Sequence, residues 1–340
     1  MHNFKLLIRS IAVMLVMVFL ISTVLTYPYF YGETYHYQDG YVRDSLAGNI
    51  DLIICGASQA QRGINPHILD KTLGTTSYNI ASPLLTFQAK YTLLKKEIKR
   101  NPVKTVILEV CYDSMVRDRD EVGAEGDYYM MGRFTNPIER LGYFFSCARI
   151  DEYADFYYDM LDRGIKSWKT FKDHKKGSSD NYKTRGFAPL PSEPVPMIEK
   201  DKYYKEEILT KISTENEYYL FKIFELCMKN NIEVVMVATP LSDSAILSYD
   251  SLDEIQAYYC AVAENFDVPF YNFSLYKQKS QRFSDKTAYI DRNHIGDSAA
   301  DDFTQLLAQT VKDSISGKDL SELFYPDYKT AQKQIEKLYK

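Results

Sequence analysis

Short apolar segments alternate with longer segments of helical periodicity along most of the chain, and this alternation constrains the fold more than any other feature. The predicted strands are 51–55, 75–79, 103–112, 232–238 and 268–271. The predicted helices are 83–100, 213–230, 250–265 and 297–312, and 62–73 is predicted to be a helix or an irregular segment. Strands that alternate with helices pair in parallel, and a long apolar run indicates a strand buried on both faces. The pattern predicts an α/β fold with a parallel sheet of about five strands, in a three-layer α/β/α arrangement.

Residues 113–210 interrupt the alternation. They are rich in tyrosine and charged residues and include the proline-rich run 189–196. We interpret them as an insertion with helices near 137–172, followed by a long irregular loop. An insertion after the carboxyl end of a strand lies over the edge where open α/β sheets bind ligands. A lid, a glycan platform and a docking surface all remain open as its role.

The N-terminal segment is apolar enough to anchor the chain in a membrane. Residues 10–26 carry no charge, and Lys5 and Arg9 precede them. About 20 apolar residues span a bilayer, and basic flanking residues stay on the cytoplasmic side. We therefore expect a cytoplasmic stub and transmembrane anchor in 1–27, a juxtamembrane connector in 28–50, and an extracytoplasmic C-terminal domain in the cell membrane.

A cleaved signal peptide is the alternative for this segment. The bulky aromatic run 27–31 follows the apolar residues, where a cleavage site would have small residues. That run suits a membrane interface and favours an uncleaved anchor. At the other end of the chain, 314–340 predicts a charged amphipathic helix.

Charge and cysteine content exclude several classes of function. The net charge of -5 gives no electrostatic basis for binding nucleic acid. The five cysteines are odd in number and none form a Cys-x-x-Cys pair, so we expect free thiols. No cluster of residues has the spacing of a metal site, and we expect no metal.

A serine follows the first predicted strand. Gly56 and Ala57 are small enough for a tight turn, after which a serine lies at the start of a helix. Backbone N–H groups there point toward the position of an oxyanion, which makes Ser58 a candidate nucleophile. A plain helix N-cap is the alternative, because serine is a favoured cap. The segment Gly56–Ala60 lacks the second glycine of a Gly-x-Ser-x-Gly elbow, which disfavours the α/β-hydrolase class.

One of the five histidines is placed for acid–base chemistry. His294 follows Asp291 by three residues and precedes the predicted helix 297–312. A carboxylate that orients an imidazole, which in turn activates a serine, is the arrangement used in acyl transfer. We therefore expect Ser58, His294 and Asp291 to converge. The alternative is a surface loop in which Asp297 caps the helix.

The order of these features resembles the SGNH (GDSL-like) hydrolase superfamily. The strand with its Gly-x-Ser turn, the α/β units and the late Asp-x-x-His carry the resemblance, over 51–112 and 232–312. The resemblance implies an SGNH-like α/β domain made of 51–112 and 211–313. It implies Ser58 as the nucleophile, His294 as the base and Asp291 as the residue that orients the base. The anchor and the insertion are similar to the branch that acylates cell-surface polymers, which includes alginate O-acetylation proteins and the D-alanyl transfer protein of teichoic acid synthesis.

The chain departs from this family at the oxyanion hole. The family's second block supplies a glycine, whereas this chain has Tyr78–Ser82; the side chain of Asn79 or the backbone N–H of Ser82 is the expected substitute. The third block normally brings an asparagine, whereas Val110–Asp113 has none, so we expect the Tyr112 hydroxyl to donate. A turn-capping role for the first residue and a structural role for the tyrosine are the alternatives.

The resemblance implies an extracytoplasmic O-acyltransferase or esterase that acts on a cell-surface polysaccharide or a teichoic-acid-like polymer. It also implies a multi-pass membrane acyltransferase as the partner that supplies the acyl group, and no cofactor. Acetyl is the first candidate for that group and D-alanyl the second. Arg62, four residues after Ser58, is a candidate for binding an anionic group, with a solvated helix face as the alternative. A non-catalytic scaffold that binds a glycan or the membrane partner is the competing function.

Overall fold

The computed structural model describes residues 2–31, 35–170, 185–196, 212–249 and 251–339. The chain forms two compact units, and each combines segments that are distant in sequence. The helical unit comprises Met1–Val42 and Asp127–Lys183, and the α/β unit comprises Arg43–Gly126 and Thr184–Lys340.

The α/β unit is built on a five-stranded parallel sheet. Its strands are β1 (Leu52–Cys55), β2 (Ser77–Asn79), β3 (Thr105–Glu109), β4 (Glu233–Ala238) and β5 (Phe270–Asn272), in the order β2-β1-β3-β4-β5. Ile53 of β1 lies opposite Tyr78 of β2 and Val106 of β3. Both β1 and β3 are buried along their whole length, which explains the apolar runs Leu52–Cys55 and 106–108. The predicted α/β class and the parallel sheet of about five strands are confirmed.

The described residues also form α-helices of very different lengths. These are α1 (His2–Tyr31), α2 (Tyr35–Ser45), α3 (Ser58–Gly63), α4 (Pro66–Leu73), α5 (Phe87–Arg100), α6 (Arg119–Val122), α7 (Glu125–Met131), α8 (Pro137–Cys147), α9 (Tyr153–Thr170), α10 (Thr214–Lys229), α11 (Asp243–Ser248), α12 (Leu252–Asn265), α13 (Lys279–Arg282), α14 (Asp297–Ile315) and α15 (Tyr328–Leu338). Short 3₁₀ turns occur at Ile150–Glu152, Phe273–Leu275 and Ser321–Leu323.

Two predicted helices have different boundaries, each for a local reason. The predicted helix 62–73 is divided into α3 and α4, because Asn65 interrupts it and its side chain caps the first turn of α4. The helix predicted to begin at Pro83 begins four residues later. Its cap is Thr86, whose hydroxyl accepts a hydrogen bond from the backbone of the first turn of α5.

The C-terminal helix is shorter than the predicted 314–340. It begins at Tyr328, because Asp327 accepts a hydrogen bond from the N–H of Thr330 at 2.6 Å and caps α15. Its buried face packs against α11 and α12. Much of the charged segment before it therefore lies outside regular helix.

Helix α14 fixes the elements that follow β1. It packs against both α3 and α4. The Thr304 hydroxyl of α14 donates to the carbonyl of Gly63 at 3.1 Å and accepts from the N–H of Asn65 at 2.9 Å. The junction between α3 and α4 is thereby attached to the helix that follows His294.

The helical unit contains the predicted membrane anchor. Within α1, Phe4–Phe30 is long and apolar enough to cross a membrane. Helix α9 packs along α1. The aromatic run at the end of α1 is partly buried in this unit, since Phe30 is buried and the Tyr29 hydroxyl donates to the carbonyl of Tyr128 at 3.0 Å. That run therefore contributes to packing within the helical unit.

The two units divide the chain differently from the predicted domains. The predicted connector 28–50 and the predicted insertion 113–210 are each split between the helical unit and the α/β unit. The helices expected near 137–172 correspond to α8 and α9. Residues 171–184 and 197–211 of the expected irregular loop lie outside the described residues.

Candidate active site

Ser58 lies in a tight turn at the carboxyl end of β1, as the first residue of α3. A methyl group on Gly56 would lie 2.5 Å from Oε2 of Glu109 and 2.7 Å from Cβ of Ala60. The N–H of Ala57 donates to the same Oε2 at 2.8 Å. The turn therefore requires glycine at position 56, and a buried carboxyl holds the backbone just before the serine.

Ser58, His294 and Asp291 form a chain of hydrogen bonds. The Oγ of Ser58 lies 2.8 Å from Nε2 of His294. The Nδ1 of His294 lies 2.9 Å from each carboxylate oxygen of Asp291. Because an ionised carboxylate can only accept, Nδ1 carries the imidazole proton and Nε2 accepts from the serine hydroxyl. The three residues predicted to converge are thus brought together.

Hydrogen bonds to its own backbone hold the loop that carries Asp291 and His294. The Oδ1 of Asp291 accepts from the N–H of Asn293 at 2.7 Å and from the N–H of His294 at 3.1 Å. The N–H of Ile290 donates to the carbonyl of His294 at 2.8 Å. Burial opposes ionisation of Asp291, but the hydrogen bonds from the imidazole and the backbone outweigh it and lower the pKa of this carboxyl. The carboxylate is therefore ionised and oriented at neutral pH.

A cavity of about 90 Å³ opens beside the serine and the imidazole. Its walls combine polar and apolar residues. The lining residues are Ala57, Ser58, Gln59, Leu84, Leu85, Cys111, Tyr112, Asp113, Ser114, Arg117, Val122, Asn293 and His294. The nucleophile and the base therefore face a small space that can hold a reacting group.

Tyr112 lines this cavity, but its hydroxyl donates to another tyrosine. The acceptor is the hydroxyl of Tyr249 at 3.3 Å, and the two rings stack with centroids 4.7 Å apart. The Tyr249 hydroxyl donates in turn to Oδ1 of Asn293 at 3.0 Å. Burial, reinforced by the charge of Asp113, raises the pKa of Tyr112. The predicted oxyanion donor is instead the first member of a relay that ends next to the base.

The side chain of Asn79 does not fill the predicted oxyanion role, and Ser82, whose backbone N–H was the other predicted donor, is not among the residues that line the cavity. The Nδ2 of Asn79 donates to the carbonyls of Ala60 at 2.9 Å and Ile64 at 3.1 Å. Its Oδ1 accepts from the N–H of Ala81 at 3.0 Å. Contrary to the prediction, this buried amide has no donor left for an oxyanion, because it fastens α3 to the end of β2. Ser82 is fully buried and lies outside the cavity lining, and its hydroxyl has no hydrogen-bond partner among the described residues.

Arg62 also has a different environment from the one predicted. Its Nη1 donates to the carbonyl of Ala188 at 2.6 Å, and it does not line the cavity. The arginine that does line the cavity, among the described residues, is Arg117. Its Nε donates to Oδ2 of Asp113 at 2.9 Å, and its side chain is 53% exposed. Sequence reasoning missed it because it lies in 113–210, a segment interpreted as an insertion from which no single residue was assigned to the site.

Two side-chain amides that sequence reasoning missed also line the cavity. The Oε1 of Gln59 accepts from the Thr239 hydroxyl at 2.6 Å, just as Oδ1 of Asn293 accepts from Tyr249. Each amide is held through its oxygen, which leaves its NH₂ group as a donor within the cavity. The only sequence signal for these amides was their position, since Gln59 directly follows Ser58 and Asn293 directly precedes His294.

Glu109, at the end of β3, is fully buried. Burial raises the pKa of its carboxyl, while the charge of Lys90 and the N–H of Ala57 oppose that rise. Its Oε2 accepts from the N–H of Ala57, and its Oε1 has no partner in the described part of the chain. Lys90 is itself buried, with Nζ 4.3 Å from the ring centroid of Phe87. The buried ionisable groups of Glu109 and Lys90 thus lie behind the turn that carries Ser58.

The cysteines do not supply an alternative nucleophile. All five are free; Cys260 is exposed and the other four are buried. Cys111 lines the cavity, but its thiol donates to Oδ1 of Asp113 at 2.9 Å, and burial raises its pKa well above the ordinary value. A thiolate is the reactive form of cysteine. Within the described ranges, no group of three or more histidine, cysteine or acidic side chains is placed to hold a metal.

Comparison of the chain with protein-family models gives no match, and comparison with curated proteins gives none either. The chemistry of the site is therefore argued from its geometry. In that geometry the Ser58 hydroxyl lies within hydrogen-bond distance of the His294 imidazole, and the Asp291 carboxylate fixes the tautomer of that imidazole.

Proposed function

We propose that the protein is a serine-dependent acyltransferase or esterase. The observation that carries the proposal is the contact of 2.8 Å between Oγ of Ser58 and Nε2 of His294, continued at 2.9 Å from Nδ1 to Asp291. A nucleophile must lie within hydrogen-bond reach of its base, and a third group must orient that base. The two distances meet both conditions.

The proposed reaction has two halves. The Oγ of Ser58 attacks the carbonyl carbon of an acyl ester while its proton passes to Nε2 of His294. The tetrahedral oxyanion collapses, the bond to the leaving alcohol breaks, and the imidazolium returns the proton to that alcohol. A sugar hydroxyl or water then attacks the acyl-serine while His294 takes its proton; the bond between the acyl carbon and Oγ breaks, and the imidazolium returns the proton to Ser58. Asp291 remains ionised throughout and stabilises the imidazolium.

The two cavity amides are the proposed oxyanion donors. Tetrahedral intermediates of acyl transfer need fixed N–H groups at the developing charge, and amide side chains serve this role in other enzymes. Gln59 and Asn293 each have their oxygen held by a neighbouring hydroxyl, so their NH₂ groups are oriented in advance. They take the part that the sequence assigned to Asn79 and Tyr112.

The size of the cavity favours a small acyl group. Its volume of about 90 Å³ is smaller than the roughly 150 Å³ of an apolar cavity that holds benzene. An acetyl group is the first candidate, and a D-alanyl group is the second.

The remaining parts of the proposal come from the resemblance to the SGNH superfamily. We propose its three-layer α/β/α arrangement for the α/β unit, and α1 as a membrane anchor with its N-terminus in the cytoplasm. The α/β unit then lies outside the cell, where the substrate is a cell-surface polysaccharide or a teichoic-acid-like polymer. Because an acyl donor must be exported to that side, a multi-pass membrane acyltransferase is the proposed partner.

The test is the ester content of purified cell-surface glycans, from cells that make the wild-type chain or Ser58→Ala at equal protein levels. Ser316→Ala, at an exposed helix end, is the matched serine control. Fewer esters in the Ser58 variant than in the control indicate a transferase, and more esters indicate an esterase. Equal ester content in all three strains would overturn the proposed function in favour of the non-catalytic scaffold.

A further inference from the structure

Helix α9 exposes a stripe of large apolar side chains. Tyr158, Ile165 and Trp168 are 73%, 47% and 43% exposed, and Leu161 between them is half-buried. The spacing of three and four residues places all four on one side of the helix. A soluble helix normally turns such a stripe into the core, so this surface needs an explanation.

The stripe lies beside the contact between α9 and α1. The hydroxyl of Tyr157 is hydrogen-bonded to the hydroxyl of Ser22. A methyl group on Gly164 would lie 2.5 Å from the carbonyl oxygen of Leu25, so the two backbones are in close contact there. At about 100° per residue, Tyr157 and Gly164 lie between the buried face of α9 and the exposed stripe. The stripe therefore faces the space immediately next to α1.

The contact is at the end of the uncharged part of α1. Residues 10–26 contain no charge and are about 25 Å long at 1.5 Å per residue, close to the thickness of a hydrocarbon core. The contacts of α9 at Ser22 and Leu25 fall within the last turns of that segment. If α1 crosses a bilayer, α9 is held at the level where hydrocarbon gives way to headgroups.

Helix α8 repeats the arrangement. Ile138, Leu141 and Phe145 are exposed at the same helical spacing. The guanidinium of Arg140, on the buried side of α8, lies 3.7 Å from the ring centroid of Phe30 at the end of α1. A second exposed apolar stripe is thus attached to the same end of the apolar helix.

A side of α9 about a quarter of a turn from the stripe is strongly polar. Asp155, Asp162 and Lys166 project there, and Lys166 donates to a carboxylate oxygen of Asp162 at 2.6 Å. A helix with one charged face and one face of tryptophan, tyrosine and aliphatic residues is typical of segments that lie in a membrane interface. Tryptophan and tyrosine favour that layer because their rings are apolar and their polar atoms need water.

We propose that the exposed stripes of α8 and α9 form a membrane-contact surface, which lies in the headgroup and upper acyl layer of the bilayer that α1 crosses. The occupant is phospholipid, because the stripes adjoin an apolar helix at the level where a bilayer would end. The surface is a second attachment to the membrane beside the single helix α1. It fixes the orientation of the helical unit about the long axis of α1 in the membrane. The inference rests on the proposed membrane insertion of α1 and does not depend on the proposed chemistry.

The chain offers a direct probe, because Trp168 is its only tryptophan. The full chain is reconstituted into phosphatidylcholine vesicles, and its insertion is established first by flotation with the vesicles. Tryptophan fluorescence is then measured with lipids that carry a nitroxide high or low on the acyl chain, and with aqueous iodide. We expect a loss of about half of the emission with the shallow nitroxide, a smaller loss with the deep one, and little quenching by iodide.

The matched control moves the probe to the polar face of the same helix, in the double variant Trp168→Phe, Asp155→Trp. That tryptophan should be quenched by iodide and less by either lipid. Flotation without lipid quenching of Trp168 would overturn the membrane-contact surface, and blue-shifted emission insensitive to both quenchers would assign the stripe to a protein contact instead. Failure to float would overturn both the anchor and this inference, while leaving the serine chemistry to its own test.

Discussion

The α/β unit and the helical unit place their unusual side chains in opposite ways. In the α/β unit, polar groups of the site are held by hydrogen-bond partners, as Asp291 is by its own loop and Gln59 by Thr239. In the helical unit, apolar side chains such as Ile165 and Trp168 are exposed. A fixed polar cavity suits chemistry, and an exposed apolar face suits a lipid surface. The two functions are therefore assigned to different units, and each can be disturbed without the other.

The largest expected effect on catalysis is from His294→Ala. Members of a triad act as a unit, so this variant should lose about 10⁴-fold or more in kcat/KM on a short ester, nearly as much as Ser58→Ala. The rate of ester hydrolysis by the purified full chain in detergent checks this, with His67→Ala as the histidine control. A His294 variant that keeps wild-type turnover would show that the contact with the serine has no catalytic role.

The next effect is from Asn293→Ala, which removes a proposed oxyanion donor while leaving the triad in place. Loss of one such donor costs about 10² to 10³-fold in kcat, because the interaction strengthens only in the transition state. KM should change little. Steady-state kinetics on the same ester separate the two parameters, and Asn49→Ala, an exposed asparagine, is the control. A change confined to KM would assign Asn293 to substrate binding.

Gly56→Ala should affect both stability and activity, because its methyl group would overlap the Glu109 carboxyl and Ala60. Crowding of this kind costs about 1 to 3 kcal/mol and here displaces the turn that carries Ser58. Thermal unfolding and ester hydrolysis measure the two losses. Gly142→Ala, where nothing lies within 4 Å, is the control and should be neutral or slightly stabilising. Equal behaviour of the two variants would mean that the turn tolerates the extra volume.

The smallest effect on catalysis is expected from Ile165→Asp in the helical unit. An exposed substitution away from the site should leave ester hydrolysis in detergent within about two-fold of wild type. In vesicles, the same variant should reduce quenching of Trp168 by the shallow nitroxide lipid, because a buried charge at the interface is unfavourable. A large loss of hydrolysis would show that ester chemistry and membrane contact are not separated between the two units.

The convergence of Ser58, His294 and Asp291 was predictable from the sequence because its parts are local. A serine after a buried strand and an Asp-x-x-His in a closed loop each define their own geometry, and parallel strands bring their carboxyl ends to one edge. The proposed oxyanion donors were not predictable. The amide of Asn79 is used by carbonyls of Ala60 and Ile64, and Gln59 is oriented by Thr239, which is far away in sequence.

The sequence pattern also did not predict how the chain divides into the helical unit and the α/β unit. Periodicity located α8 and α9 but gave no sign that they pack with α1 in one unit. That contact depends on Gly164 and a single hydroxyl pair, in which no motif is visible. Similarly, Arg117 reaches the cavity from a segment that composition alone marked as an insertion.

The most direct test of the central claim is to trap the acyl-enzyme. The full chain in detergent is mixed with p-nitrophenyl acetate, quenched in acid, and analysed by intact-mass and peptide mass spectrometry. The account predicts one added acetyl group on the peptide that contains Ser58, and none on this peptide in the His294→Ala chain. Ester hydrolysis by the wild-type chain through an acetyl group on another residue, with Ser58 unmodified, would contradict it.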